Sequence, residues 1–294
     1  MTALGDLTGG LIDSVGYALS AGGATIVGYG SSSNGQEAFR WTVGSGMVGL
    51  GDLPGGAFSS FATGVSDDGL VIVGYAVSTS GGQAMRWTQS GGMVGLGDLP
   101  GGTFASQATD VSADGNVVVG FGNSDEGLQA FRWTQSGGMV GLGDLPGGTF
   151  RSSASAVTAD GSTIVGTSRD AAGFKAFIWT EQRGMVDFQS YLNATGATGL
   201  SGWTLTLAQG ISDDGRVIAG EGTNPQGMRE AWVAILPEHC LADRNLDGNV
   251  DFFDVQTFLT LFAASDSSAD LNDDGHLDFF DVQRFLAAFA AGCV

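Results

Sequence analysis

Two acidic segments near the C-terminus carry the residues best suited to chemistry. DRNLDGNVDFFD (243–254) and DLNDDGHLDFFD (270–281) align without a gap. Each places oxygen donors at positions 1, 3, 5, 7, 9 and 12 around a glycine at position 6, where the chain must turn sharply. Carboxylate and carbonyl oxygens suit Ca²⁺ better than transition metals. The sequence therefore predicts two calcium sites. The expected ligands are Asp243, Asn245, Asp247, the Asn249 carbonyl, Asp251 and Asp254 in the first segment, and Asp270, Asn272, Asp274, the His276 carbonyl, Asp278 and Asp281 in the second.

Each acidic segment leads into a predicted helix. VQTFLTLFAA follows the first and VQRFLAAFAA the second, and apolar residues recur in both at steps of three and four. A pair of acidic surface loops that bind no metal is the alternative, but two gapless matches argue against it. Without a cation the crowded carboxylates would repel one another, so we expect this region to need Ca²⁺ to fold.

The duplicated loop and helix resemble a known domain. The ligand spacing is that of an EF-hand loop, but position 12 is Asp instead of Glu, and PEHCLA before the first loop is too short and irregular for an entering helix. A loop with only an exiting helix, duplicated and with Asp at position 12, resembles a type I dockerin domain. The resemblance implies a secreted protein that docks onto the cohesin module of a scaffold.

Positions 10 and 11 of the loops depart from the dockerin pattern. Dockerins often have Ser or Thr there and use these positions in partner choice, whereas this chain has Phe252-Phe253 and Phe279-Phe280. A tail that sorts or anchors the protein at a cell surface is therefore the alternative to cohesin binding. We expect at least one ring of each pair to fill a small core, and any exposed ring to contact a partner. The other expected core residues are Phe258, Leu259, Phe285 and Leu286.

The only two cysteines, Cys240 and Cys293, bracket this region. A disulfide between them would tie its ends together and contribute about 3–4 kcal/mol in the chain-entropy model. A small acidic domain with little core needs such a link. Two free thiols are the alternative. The bond would imply an oxidising compartment, and we expect a secreted or cell-surface protein. The N-terminus has neither the basic nor the apolar region of a signal peptide, so we interpret the chain as a mature or shortened form, with a cytoplasmic protein as the alternative.

The rest of the chain is a repeat. LGDL begins at Leu4, Leu50, Leu96 and Leu142, always 46 residues apart, and AFRWT-like segments mark a fifth unit after an insertion. Each full unit holds four short strand candidates. An Asp-Gly pair joins the first two in every unit except the first, which has Gly22-Gly23. Four strands in about 46 residues match one propeller blade. We therefore predict a mainly β protein with a five-bladed β-propeller over residues 1–237 and a small α-helical domain over 238–294.

We expect the ring to close through the N-terminus. The fifth unit stops after AWVAIL (231–236) without an LGDL strand, and the chain begins with one. Ala3–Leu7 should therefore be the outer strand of the fifth blade, and an open array is the alternative. The pattern LGDLPGG, S-x-DG-x-x-VG, AFRWT and GMVGL resembles the HAF repeat of secreted bacterial proteins, and its turn is similar to that of WD40-like propellers. The resemblance implies an extracellular location and no established activity.

Charge and composition exclude several functions. With 31 acidic and 11 basic residues the formal net charge is −20, which disfavours nucleic acids and anionic membranes. We expect neither a membrane span nor an oligomer. The two histidines, His239 and His276, lie outside the repeats, so a Ser-His-Asp site cannot form there. Carboxylates that recur in every repeat, such as Asp52, should bond backbone amides and not act as catalysts.

We therefore expect a non-catalytic binding or display protein, with an extracellular polysaccharide-active enzyme or a purely structural surface protein as the alternatives. A glycan or protein ligand would bind on the propeller's loop face. The candidates for contact with it are Tyr191, Asn193, Trp203, Asp170 and Arg229.

Overall fold

The chain forms two compact units, residues 1–235 and 236–294, here called the strand unit and the tail unit. The computed structural model describes residues 3–236, 242–245, 249–271 and 276–291. The predicted Cys240–Cys293 disulfide lies outside these residues. The mainly β fold predicted for the larger unit is confirmed.

The strand unit consists of successive antiparallel meanders, which we number as repeats one to five. Each strand pairs with the next one in the chain within a repeat. Repeat one contains β1 (Gly9–Leu19), β2 (Thr25–Ser32), β3 (Gly35–Thr42) and β4 (Gly46–Gly49); repeat two contains β5 (Gly55–Val65), β6 (Val71–Ser78), β7 (Gly81–Thr88) and β8 (Gly92–Gly97); repeat three contains β9 (Gly101–Val111), β10 (Val117–Ser124), β11 (Leu128–Thr134) and β12 (Gly138–Gly141). Repeat four contains β13 (Gly147–Val157), β14 (Thr163–Asp170), β15 (Gly173–Thr180) and β16 (Gly184–Asp187); after α1 (Phe188–Ala194), repeat five contains β17 (Thr204–Ile211), β18 (Val217–Thr223) and β19 (Arg229–Ile235).

Neighbouring repeats are joined by recurring contacts between their first strands. The Thr63 hydroxyl donates to the Ala108 carbonyl at 2.9 Å, and one repeat later Thr109 donates to Ala154 at 3.1 Å. The apolar cores also lie between repeats, since Val27 of repeat one is buried in the same cluster as Ile72 of repeat two. This succession of meanders with adjacent first strands is the arrangement of propeller blades.

The LGDL segments mostly form the connections between repeats, and only the first two residues of one segment, Leu96 and Gly97, belong to an outer strand. In repeats one and three the fourth strand ends before the leucine, at Gly49 and Gly141. The aspartate then accepts a hydrogen bond from an amide of the next first strand, as when Asp98 bonds Ala105 at 2.8 Å. Asp6, Asp52 and Asp144 repeat this bond at 2.9–3.1 Å, and Leu7, Leu53, Leu99 and Leu145 are buried beside them. These repeated carboxylates therefore have a structural role.

The predicted pairing of Ala3–Leu7 with the last strand is wrong. In the described part of the chain β19 pairs only with β18, and residues 3–7 are irregular. The Asp6 carboxylate accepts a hydrogen bond from the Asp13 amide at 3.0 Å, so this segment is bonded to the first strand of repeat one. By the 46-residue period Leu4–Leu7 correspond to Leu50–Leu53 and Leu142–Leu145, which follow the fourth strands of repeats one and three. Among the described residues the sheets do not close, and Ile12 of β1 and Ile235 of β19 are 97% and 73% exposed.

The tail unit contains two helices that follow the two acidic segments. They are α2 (Phe252–Ala263) and α3 (Phe279–Ala291), with one 3₁₀ turn (Ser267–Ala269) between them. The buried rings of Phe258 and Phe285 stack with centroids 4.3 Å apart, and Phe262 and Phe289 flank them. Among the described residues, no helix has the length and apolar character that crossing a bilayer requires.

Candidate functional site

The carboxylates at position 12 of the two acidic segments are completely buried. Asp254 accepts from the amides of Asn245 and Asp251 at 3.0 and 2.9 Å. Asp281 accepts from the amides of Leu271 and Asp278 at 2.8 and 2.9 Å. Each carboxylate therefore fastens its loop to the first turn of its helix.

The residues at position 9 begin the helices. Asp251 caps α2 by accepting from the Phe253 amide at 2.8 Å, and Asp254 completes a capping box. Asp278 accepts from the Phe280 amide at the same distance. Negative charge at a helix N-terminus is favourable, so these residues stabilise the junction of loop and helix with or without a metal ion.

The remaining predicted calcium ligands are only partly described. Asp243, Asn245 and Asp270 are half-buried, and Asn249 and His276 are exposed. Asp247, Asn272, Asp274 and the glycines at position 6 lie outside the described residues. Within the described ranges, no three acidic, His or Cys side chains are close enough to hold a metal ion. The donors present are oxygens, which fit Ca²⁺, and the two calcium sites stay a prediction.

One basic residue distinguishes the first loop from the second. Arg244 occupies position 2, where the second loop has Leu271. Its guanidinium donates to the Ser268 carbonyl in the 3₁₀ turn. Burial lowers the pKa of Arg244, while the nearby Asp266 and Asp254 raise it. This side chain thus links the first loop to the turn between the helices.

The phenylalanine pairs beside the loops point to solvent. Phe252 and Phe279 are each 72% exposed, and Phe253 and Phe280 are each 62% exposed. The expectation that one ring of each pair fills the core is therefore wrong, because Phe258 and Phe285 already fill the space between the helices.

Leu259 and Leu286 are also exposed, contrary to the sequence-based expectation. Each lies two helical turns after the first phenylalanine of its pair and so on the same helix face. We call the two sets the phenylalanine patches. They consist of Phe252, Phe253 and Leu259 in the first copy and Phe279, Phe280 and Leu286 in the second.

The five loop-face candidates of the strand unit do not form one site. Tyr191 and Asn193 lie in α1, and the Arg183 guanidinium lies over the Tyr191 ring. Trp203 accepts from the Gln189 side chain through its carbonyl, Asp170 accepts from the amides of its own turn, and Arg229 forms an ion pair with Glu221. Within the described residues, no hydrogen bond, ion pair or ring contact joins any two of the five candidates.

One titratable group in the strand unit escaped the sequence analysis. Asp110 of β9 accepts from the amides of Val111 and Val157 at 2.9 and 3.0 Å, and so joins repeats three and four. Burial, with a smaller contribution from Asp213, raises the pKa of Asp110 to about 6 although the two amide hydrogen bonds lower it. The residues equivalent to Asp110 in repeats two and four are Gly64 and Ala156. The departure of Asp110 from the repeat was therefore the signal in the sequence that could have identified it.

No family model and no curated protein sequence matches the chain. Solved structures with a similar fold include TolB from Acinetobacter baumannii, at 13% identity and a TM-score of 0.49. That likeness covers 76% of this chain but only 54% of the TolB chain, so this chain spans about half of that protein. A putative TolB from Agrobacterium tumefaciens matches at 16% identity and a TM-score of 0.43, over 74% and 73% of the two chains.

A gluconolactonase from Xanthomonas campestris matches at 14% identity and a TM-score of 0.37, over 80% of this chain and 79% of the other. At these identities and TM-scores the likenesses extend to no ligand or activity.

Proposed function

We propose that the tail unit is a calcium-dependent, dockerin-like docking module that attaches a non-catalytic strand unit to a partner outside the cell. The observation that carries this proposal is the duplication of the phenylalanine patches. Equivalent side chains in the two copies have the same exposed fractions, although large apolar side chains are costly to leave in water. Exposed apolar groups that recur in an acidic module are suited to contact with a partner.

Calcium would act by fixing the loops that end at the patches. The position-12 carboxylates are anchored to both the loop and the start of the helix, so a cation bound in the loop would orient the two rings that immediately precede each carboxylate. Asp243, Asn245, Asp247, Asp251, Asp254 and their equivalents in the second loop would hold the ions. A disulfide between Cys240 and Cys293 would further close the unit.

The partner that the dockerin resemblance suggests is a cohesin module. Because the patches are apolar, we expect an apolar contact surface on that module, with the two patches interchangeable. The strand unit, with its HAF-like repeats and five propeller-type blades, would be the cargo that binds or displays. Its repeated carboxylates bond backbone amides, which supports a role without catalysis.

Surface plasmon resonance on an immobilised type I cohesin module tests this proposal with the full chain. We expect binding in Ca²⁺, none in chelator, and partial loss in either Phe252→Ala/Phe253→Ala or Phe279→Ala/Phe280→Ala. The quadruple variant should lose binding. Val43→Ala is the matched control, because Val43 is 85% exposed but lies in the strand unit. Absence of binding in Ca²⁺ would contradict the proposal and favour an anchoring tail.

A further inference from the structure

Repeat four departs from the other repeats at three positions that lie together. Arg151 stands where repeats two and three have Ser59 and Ala105. Arg169 stands in place of Val77 and Asn123, and Phe174 in place of Gly82 and Leu128. Residues that recur in this unit serve the fold, so a joint departure indicates a local role that the other repeats do not share.

These three side chains form a row across three strands. Arg169 of β14 is directly opposite Phe174 of β15, and Ser152, next to Arg151 on β13, is opposite Ser168. The guanidinium carbons of Arg151 and Arg169 each lie 5.6 Å from the centroid of the Phe174 ring. Both arginines are exposed, and Phe174 is 41% exposed. Two cations thus meet at one aromatic ring on the surface, which holds them in a fixed place.

Neither guanidinium is neutralised within the part of the chain that the structure describes. The one ion pair recorded there joins Arg229 and Glu221. Two carboxylates beside the row accept hydrogen bonds from other groups. Asp144 accepts from the Arg151 amide and the Ser168 hydroxyl, and Asp170 accepts from two amides of its own turn. Among the described residues, Phe174 is the one ring that two guanidinium groups approach, which is unusual in a chain of net charge −20.

The row is accessible through its own exposed side chains, and the junction with repeat five is also open at the start of β15. A Cβ atom added to Gly35, Gly81 or Gly127 would lie 2.6–2.9 Å from a carbonyl oxygen of the next repeat. A Cβ added to the equivalent Gly173 would meet nothing within 4 Å. The insertion over 188–203 replaces the PGG connection that follows the other repeats. The start of β15 is therefore left uncovered.

We propose that Arg151, Arg169 and Phe174 form a binding site for an acidic polysaccharide and contact its carboxylate or sulfate groups. Guanidinium groups bind such oxyanions through paired, charge-assisted hydrogen bonds. The site is an open surface and not a cavity, so it suits a polymer that engages both arginines better than a single small anion. Two arginines in a chain of net charge −20 do not make the extended basic surface that nucleic-acid binding requires. This site deepens the binding role proposed for the strand unit and does not depend on the tail.

Affinity electrophoresis of the full chain in gels that contain polygalacturonate, dextran sulfate or neutral dextran tests the site. The repeat itself supplies substitutions that this fold accommodates, so we choose Arg151→Ala, Arg169→Asn and Phe174→Leu. We expect retardation by a charged polymer and not by dextran, with an affinity about tenfold or more lower in the double arginine variant. Retardation by polygalacturonate, by dextran sulfate or by both supports the site and identifies the acidic group.

Lys175→Gln is the matched control. It removes one positive charge next to the row but on the opposite face of the strand, and repeats two and three have Gln83 and Gln129 there. Chelator in the gels keeps calcium-dependent docking by the tail from contributing, so failure of one proposal is distinguishable from failure of the other.

Three outcomes would overturn the proposal. The first is no retardation by either charged polymer. The second is an equal loss of affinity in Lys175→Gln, which would show that binding depends only on net charge. The third is equal or tighter binding of single-stranded DNA in the same gels, which would indicate a nucleic-acid site. Circular dichroism spectra and melting curves establish that each variant is folded.

Discussion

The two units of this protein are both built by duplication, yet repetition has opposite meanings in them. In the strand unit many recurring side chains are buried or bonded, as Leu99 and Asp98 show, and the valines that recur exposed, Val48, Val94 and Val140, stand singly, whereas the exposed Phe174 occurs once. In the tail unit the recurring Phe252 and Phe279 are exposed in both copies. Repetition alone therefore does not decide whether a residue serves the fold, and its exposure must be considered as well.

The largest expected difference in stability is between variants at the repeated buried residues and variants at the repeated exposed residues of the tail unit. Phe258→Ala removes one ring of the buried stack and should destabilise this unit by about 3–5 kcal/mol. Phe252→Ala should change its stability by no more than about 0.5 kcal/mol. Urea unfolding of the full chain, followed by ellipticity at a wavelength where the helices dominate, measures both. Equal losses would show that the Phe252 ring is part of the core.

A second comparison is between a junction of two repeats inside the strand unit and the exposed first strand, β1. The buried Ser106 hydroxyl donates to the Gly97 carbonyl and accepts from the Ala84 amide at 3.0 Å, so it joins two repeats. Ser106→Ala should cost about 1–3 kcal/mol, because a buried amide and a carbonyl lose their partner.

The equivalent Ser14 is exposed on the first strand, and Ser14→Ala should cost less than about 0.5 kcal/mol. Thermal unfolding of the two variants tests this difference. A loss at Ser14 as large as that at Ser106 would mean that β1 has a neighbouring repeat and that the ring closes.

Some parts of the structure could be predicted from the sequence and others could not, for physical reasons. The meanders were predictable because Asp-Gly turns and short β-rich runs recur with one period, and local preference and tertiary pairing agree. The position of Ala3–Leu7 was not predictable, because strand propensity cannot distinguish an outer strand from a connection that the Asp6 carboxylate holds in place. The exposure of Phe252 and Phe253 was not predictable either. Helical periodicity allows several faces to be apolar, and only the stacking of Phe258 on Phe285 decides which face is buried.

The smallest expected effect concerns Asp110, the carboxyl that interrupts the repeat in β9. Its pKa of about 6 in the folded protein exceeds the ordinary value of 3.8, so the folded state binds more protons between these values. Stability that depends on this group is therefore greatest below pH 4 and falls as the pH rises through 6.

Asp110→Asn, which cannot ionise, should lack this fall of about 1–2 kcal/mol. Urea unfolding of both proteins at a series of pH values between 4 and 7 measures the difference. Parallel stability profiles for the two proteins would contradict the assigned environment of Asp110.

The central claim, a duplicated calcium-dependent docking module, is tested most directly by the number of calcium ions bound per chain. Equilibrium dialysis of the full chain against radioactive calcium should give two ions for the wild type and one for either Asp243→Ala or Asp270→Ala, with none in the double variant. Two ions in all four proteins would place calcium elsewhere, and no calcium bound to the wild type would contradict the account.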